Sequence, residues 1–252
     1  MEKSVSIAPD WLSFTVSEDH FEKIIDRFKD FGLVPKTPKF GYTKAFGVEG
    51  SHIAIMFDGA VEGMGVHVQL GGSGLALIGE TCKMAEFFEW IAVLSAKITR
   101  CDAALDIAGY GWTARKFKRM DDNGLLVSRL RQRKWMVKYD REGNEAGTLY
   151  LGSRISDAYV RVYDRGAKTG VGDVLRIEIE AKRIKAQMLF DMFRLNEYDK
   201  IKALFRSFIE PKQRKGHKRV SERETWAPWV QILGKARAGF LIINIMTNKY
   251  RS

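Results

Sequence analysis

The stretch Ile98-Thr-Arg-Cys-Asp-Ala-Ala-Leu-Asp-Ile107 reads as a β-strand, and the rest of the chain is best read outward from it. Side chains of a strand alternate between its two faces. Cys101, Ala103 and Leu105 therefore share one face, small and apolar enough for a core. Arg100, Asp102, Ala104 and Asp106 share the other. That face puts two carboxylates on an otherwise buried-looking strand, which is costly unless they are paired or hold a metal. Hard oxygen donors suit Mg²⁺ or Mn²⁺. The plainer alternative is an ion pair of Arg100 with Asp102 at a sheet edge. This stretch alone leaves both readings open.

Two later segments repeat the pattern. In Leu175-Arg-Ile-Glu-Ile-Glu-Ala-Lys182, the residues Arg176, Glu178, Glu180 and Lys182 share a face, opposite Ile177, Ile179 and Ala181. Alternating charge is also what a solvent-facing strand carries. If this strand neighbours the first, Asp102, Asp106 and Glu178 are expected to converge on one cation. In Ser156-Asp-Ala-Tyr-Val-Arg-Val-Tyr-Asp-Arg165, a third strand puts Tyr159, Arg161, Tyr163 and Arg165 on one face. A tyrosine serves as a nucleophile when a metal or cations favour its phenolate, and an arginine beside it suits phosphate charge. The same pattern also fits packing aromatics or a nucleic-acid-binding surface. In Val66-His-Val-Gln69, His67 is either a metal ligand or a satisfied structural histidine.

The remaining periodicities predict an α+β fold, a largely antiparallel central sheet covered by helices. Trp11–Val16 alternates as a strand, and Ser17 is placed to cap the helix after it. Helices are expected over Glu18–Phe31, with Gly32 as its stop, over Met84–Leu94, in the basic stretch Thr113 to Arg131, and over Ile184–Phe208. Strands are expected near Phe40–Phe46, His52–Phe57, Val66–Leu70, Leu75–Ile78, Trp135–Tyr139, Thr148–Leu151, Ala158–Arg165 and Val174–Lys182. An internal duplication of a strand-helix-strands-helix unit is one reading of this order. The expected division is residues 1–97 as an N-terminal half, 98–210 as the half with the carboxylate and tyrosine strands, and 211–252 as a basic linker and C-terminal segment with a last apolar run at Phe240–Met246.

Of 252 residues 45% are hydrophobic, enough for a sizeable core, while the formal net charge of +11 favours a polyanionic partner through counterion release. The positive charge gathers in three runs: Arg115, Lys116, Lys118 and Arg119; Arg129, Arg131, Arg133 and Lys134; and Lys212, Arg214, Lys215, Lys218 and Arg219. These are the candidate DNA contacts. No apolar run approaches the roughly 20 residues of a membrane span, so no membrane partner is expected and a cytoplasmic location is the default. Cys82 and Cys101 form no CxxC pair. Gly166-Ala-Lys-Thr169 lacks the glycine spacing of a P-loop.

With these segments in hand, the sequence resembles the replication initiation factor family. The pieces that carry the resemblance are Arg100–Asp106, Gly147-Thr-Leu-Tyr-Leu-Gly-Ser153, Ser156 through Arg165, Arg176-Ile-Glu178 and Trp226-Ala-Pro-Trp229, in the family's order. Together they span roughly Ile98 to Trp229, with Val66 to Gly74 similar to phage-type members. The resemblance implies a rolling-circle replication initiator. Such an enzyme nicks one origin strand, stays joined to the 5′ phosphate through a tyrosine, and uses a divalent metal, Mg²⁺ or Mn²⁺. It implies Asp102, Asp106 and Glu178 as metal ligands and Tyr163 as nucleophile, with Tyr159 as second candidate. Arg165 stands where the family commonly has lysine, which keeps the charge but not the proton exchange. Origin DNA, a homodimer and a host helicase acting in trans are the implied partners. A non-catalytic DNA-binding regulator and a conjugative relaxase are the alternatives.

Overall fold

The computed structural model describes residues 2–139, 143, 145–166, 173–214 and 219–234. Ten strands are hydrogen-bonded in the order β2-β3-β4-β5-β1-β6-β11-β10-β9-β8. They are β1 (Ser4–Val16), β2 (Leu33–Pro35), β3 (Tyr42–Val48), β4 (Ile53–Gly59), β5 (Val66–Gly71), β6 (Lys97–Ala108), β8 (Arg133–Tyr139), β9 (Glu145–Leu151), β10 (Ala158–Asp164) and β11 (Val174–Lys182). β7 (Leu126–Val127) and β12 (Glu210–Pro211) pair separately. Seven α-helices are described: α1 (Phe21–Phe28), α2 (Gly72–Thr81), α3 (Met84–Val93), α4 (Ala114–Asp122), α5 (Ile184–Arg194), α6 (Tyr198–Phe208) and α7 (Ala227–Leu233). The fold is α+β with a largely antiparallel sheet, and β6, β11 and β10, the three strands bearing the acidic and tyrosine residues, are consecutive in it. None of the described helices is long and apolar enough to cross a membrane.

By contact the chain divides into two compact units, one of Met1–Ala8, Ala103–Glu180 and the chain from Glu197 onward, the other of Pro9–Asp102 and Ala181–Asn196. In the second, antiparallel register stacks one apolar face: Leu12 opposite Leu70, Phe14 opposite Val68, Val16 opposite Val66, with Ile53 and Ile55 next in line. All are buried, as are Ile24 and Phe28 of α1 and Phe87 and Phe88 of α3. Phe88 stacks on Phe190 of α5 with centroids 5.1 Å apart. Each such side chain contributes about 1.5–3 kcal/mol by leaving water. The opposite face carries His67, whose Nδ1 shares a 2.8 Å hydrogen bond with Thr15 Oγ1 and whose ring stacks on Tyr42. Burial lowers its pKa.

In the first unit, α4 packs on β9 and β10. The face it covers holds Leu149, Leu151, Val160 and Val162, all fully buried. Phe117 of α4 and Trp229 of α7 meet edge to face at 5.7 Å, and Trp112 and Trp226 pack at 4.6 Å. Trp135 lies so close to Gly147 that a Cβ there would fall 2.1 Å from the indole. Glycine at this position is what lets the ring lie flat on the strand.

Five sequence expectations are corrected. Leu75–Ile78 is helical, inside α2: the glycines before it begin a helix, and a Cβ on Gly74 would meet Ile53 at 2.8 Å, so the run serves close packing, not a turn. Ser17 does not cap with its hydroxyl, which donates to Asp19 at 3.1 Å. The stretch from Thr113 to Arg131 is helical only over α4, because Leu126 and Val127 pair with Pro211 and Glu210. The long helix from Ile184 is two, broken at Asn196, whose φ is +55°. The segment after Pro211, expected to be a basic linker, begins inside the fold: Lys212 is 2% exposed and pairs with Glu210 at 3.0 Å.

Two outcomes test this packing. Gly147→Val is expected to displace Trp135 and cost about 1–3 kcal/mol, read by urea unfolding with a shift in tryptophan emission. His67 is favoured neutral in the folded state, so its contribution is present above the ordinary value of 6.5 and lost as pH falls through its lowered one. His67→Gln is expected to flatten the decline of stability that sets in as pH falls from 6.5 to the lowered value, measured by unfolding across pH.

Candidate functional site

The face of β8–β11 opposite α4 gathers the residues that alternation places there. Cross-strand register puts Tyr163 opposite Thr148, and Arg161 opposite Tyr150. On it, Tyr163 Oη donates a short hydrogen bond to Glu178 Oε1. Glu178 is 3% exposed. Its Oε2 lies 2.8 Å from Arg161, which is 4.0 Å from Glu180. Asp106 is gripped at both oxygens by Arg176, with 2.6 Å from Nε to Oδ1 and 2.6 Å from Nη2 to Oδ2. Arg165 adds a third bond to Asp106 at 2.8 Å. Arg176 also comes within 3.8 Å of Glu178. One guanidinium thus spans two carboxylates, and a tyrosine hydroxyl sits on the second. Fork-shaped arginine geometry suits this pairing, where lysine would supply only a point charge.

Asp102 is fully buried. Arg100 holds it through Nε at 2.9 Å and Nη2 at 2.5 Å. The Arg100 guanidinium lies 4.5 Å from the Trp11 ring centroid. The ion pair weighed for this strand is therefore present. Among the described residues no three His, Cys, Asp or Glu side chains are grouped to hold a metal. The donor chemistry itself, hard anionic oxygens, suits Mg²⁺ or Mn²⁺.

Tyr159 differs from Tyr163. It is 7% exposed, stacks on Tyr150 at 5.6 Å and 20°, and its phenol is pushed up by burial. Asp164, between Tyr163 and Arg165, points to the helix side and accepts from the first backbone N–H of α4 at 2.8 Å. Burial raises its carboxyl.

The basic runs fall on different surfaces. On α4, Arg115 pairs with Glu145 at 2.5 Å and Lys118 with Asp122. Lys116 lies 4.6 Å over Trp226, its pKa lowered by burial and then by Arg119. Arg119, Arg129, Arg131 and Lys134 are exposed, and Arg133 holds Asp121 at 2.9 Å. Arg214 and Arg219 are exposed; Lys215, Lys218 and the apolar run at 240–246 lie outside the described residues. Sequence reasoning missed Arg176 as the partner of Asp106, although it shares the strand face of Glu178. It also missed Lys138 and Arg154, treated below.

Residues 96–246 match the family model described as replication initiation factor. No curated protein matches the chain. Among solved structures, a rolling circle replication initiator protein from Geobacillus stearothermophilus is similar in fold, with a TM-score of 0.79 and 24% identity over 92% of this chain and 96% of that one. With more than half its length inside the family model, and with the tyrosine and acidic strands side by side, this chain belongs to the replication initiation factor family.

Proposed function

We propose that the protein initiates rolling-circle replication by nicking one strand of origin DNA, with Tyr163 as the nucleophile. The observation that carries this reading is the hydrogen bond from the Tyr163 hydroxyl to Glu178, on a face crowded with arginines. Glu178 Oε1 is positioned to take the phenolic proton. Attack by Oη on phosphorus forms one P–O bond as the bond to the 3′ oxygen breaks, so the energy of the ester is retained and rejoining needs no nucleotide. The 3′ oxygen leaves as a hydroxyl once protonated. Arg165, half exposed, and Arg161 are the groups to hold non-bridging oxygens. Tyr159, stacked and raised in pKa, is the weaker candidate.

Asp102, Asp106 and Glu178 are the proposed holders of Mg²⁺ or Mn²⁺, which when bound would polarise the scissile phosphate. Taking up the ion requires guanidinium groups to turn away from these oxygens. Origin DNA is the proposed partner, met through phosphate contacts by Arg119, Arg129 and Arg131. A homodimer and a helicase supplied by the host complete the proposed assembly.

Three outcomes follow with a labelled origin oligonucleotide, Mn²⁺ and denaturing electrophoresis. Tyr163→Phe is expected to abolish cleavage and the covalent adduct while DNA binding persists, because only a hydroxyl is lost; Tyr159→Phe keeps most activity. An adduct that survives Tyr163→Phe and disappears in Tyr159→Phe would reverse the assignment. Asp106→Asn and Asp102→Asn are expected to stop cleavage without rescue by added metal. Absence of any adduct with the unaltered protein and its cognate strand would leave a DNA-binding regulator. Separately, Arg129→Gln with Arg131→Gln is expected to flatten the salt dependence of binding by about two phosphate contacts.

A further inference from the structure

The face that carries Tyr163 continues past it into a groove of about 760 Å³. Its walls include Lys134, Met136 and Lys138 of β8, Tyr150 of β9, Arg154 and Tyr159. The register explains why they meet. Lys134 lies opposite Tyr150 and Met136 opposite Thr148, which is itself opposite Tyr163. Groove and tyrosine therefore lie on one side of the same three strands, β8, β9 and β10. Along β10, Tyr159 is four residues from Tyr163, about 13 Å at strand rise.

The lining has a definite chemistry. Tyr150 and Tyr159 stack face to face. The Arg154 guanidinium stands 6.0 Å from the Tyr159 centroid. Met136 is 36% exposed. Lys134 and Lys138 are exposed, and no carboxylate is among the described lining residues. A protein ligand would find little to pair with here beyond acidic groups. A DNA duplex keeps its bases stacked and offers none to the rings. Unpaired nucleotides supply both halves of the match: a base for the Tyr150 ring and phosphates for the lysines and Arg154.

We propose that this groove is a subsite for single-stranded DNA, holding unpaired nucleotides against Tyr150, a half-exposed ring that the buried Tyr159 backs. That the bound strand is the one to be cut rests on the reading of Tyr163 given above. The subsite is sequence-tolerant, since every base has a π-face. It is distinct from the contacts of Arg129 and Arg131, which address the backbone alone.

The test uses the full chain carrying Tyr163→Phe, a fluorescent oligothymidylate of about 12 nucleotides and a hairpin duplex of matched length. Tyr150→Leu is expected to weaken oligothymidylate binding roughly tenfold or more and to leave hairpin binding unchanged. Tyr150→Phe, which keeps the ring, is expected to bind as before. Lys134→Gln with Lys138→Gln is expected to reduce the single-strand salt slope by about 1.4. With the fold intact by circular dichroism, unchanged oligothymidylate binding in Tyr150→Leu, or equal losses on hairpin and single strand, overturns the subsite. Should Tyr150→Leu not fold, 2-aminopurine placed along the oligonucleotide decides with the Tyr163→Phe protein alone: quenching on binding supports stacking, and no quenching at any position overturns it. Adduct formation by the unaltered protein is scored separately. An adduct with normal Tyr150→Leu binding sinks the groove alone, and groove-dependent binding without any adduct sinks the nicking reading alone.

Discussion

Arg176 between Asp106 and Glu178 is the interaction on which the rest of the site face depends. Two carboxylates facing each other on neighbouring strands repel, and burying either one unpaired would cost several kcal/mol. A guanidinium that chelates one and borders the other removes both problems at once. The strands can then pack edge to edge, and Glu178 is left with an oxygen for Tyr163. The second compact unit solves the same problem at Asp102 with Arg100, backed by the Trp11 ring. The buried carboxylates Asp102, Glu178 and Glu180 each lie beside an arginine, and the proposed divalent cation would compete for oxygens of the first two.

Much of this was legible in the sequence, and the reason is the period of two. Alternation alone assigned Asp102 with Asp106, Glu178 with Arg176, and Tyr159 with Tyr163 to common faces, and β6, β11 and β10 proved to be neighbours. What alternation does not contain is register. Whether Arg176 grips Asp106 depends on how β11 is offset from β6, which no single strand records. The same gap hid Lys138 and Arg154, whose relation to Tyr150 exists only across strands. The helix errors have a different origin. Leu75–Ile78 is too short an apolar run to separate strand from helix, and the break at Asn196 lies in a sequence whose apolar spacing continues on either side of it.

The first compact unit has two surfaces with separate characters. On the helix side, Arg115 and Lys118 are matched by Glu145 and Asp122, and Lys116 rests on indoles. Arg115 and Lys116 reach from α4 to its neighbours, while Lys118 pairs within the helix itself. On the open side, Lys134 and Lys138 are exposed beside aromatic rings. A net charge of +11 therefore overstates the cations available to a nucleic acid. The first basic run lies on helix α4, and the second passes from exposed Arg129 and Arg131 into the groove wall at Lys134.

The bond from the Ala114 backbone to Asp164 joins the start of α4 to the residue next to Tyr163. A helix N-terminus is a fixed partial positive charge, so the carboxylate is a rivet between two rigid elements. Its effect is metric. Tyr163 and the cations of α4 are tied through this bond to neighbouring points of the scaffold. If both touch DNA, the number of nucleotides from grip to cut is built into the scaffold like the gap of a caliper. Lengthening a surface loop would not change that count, whereas shifting β10 by a single residue would.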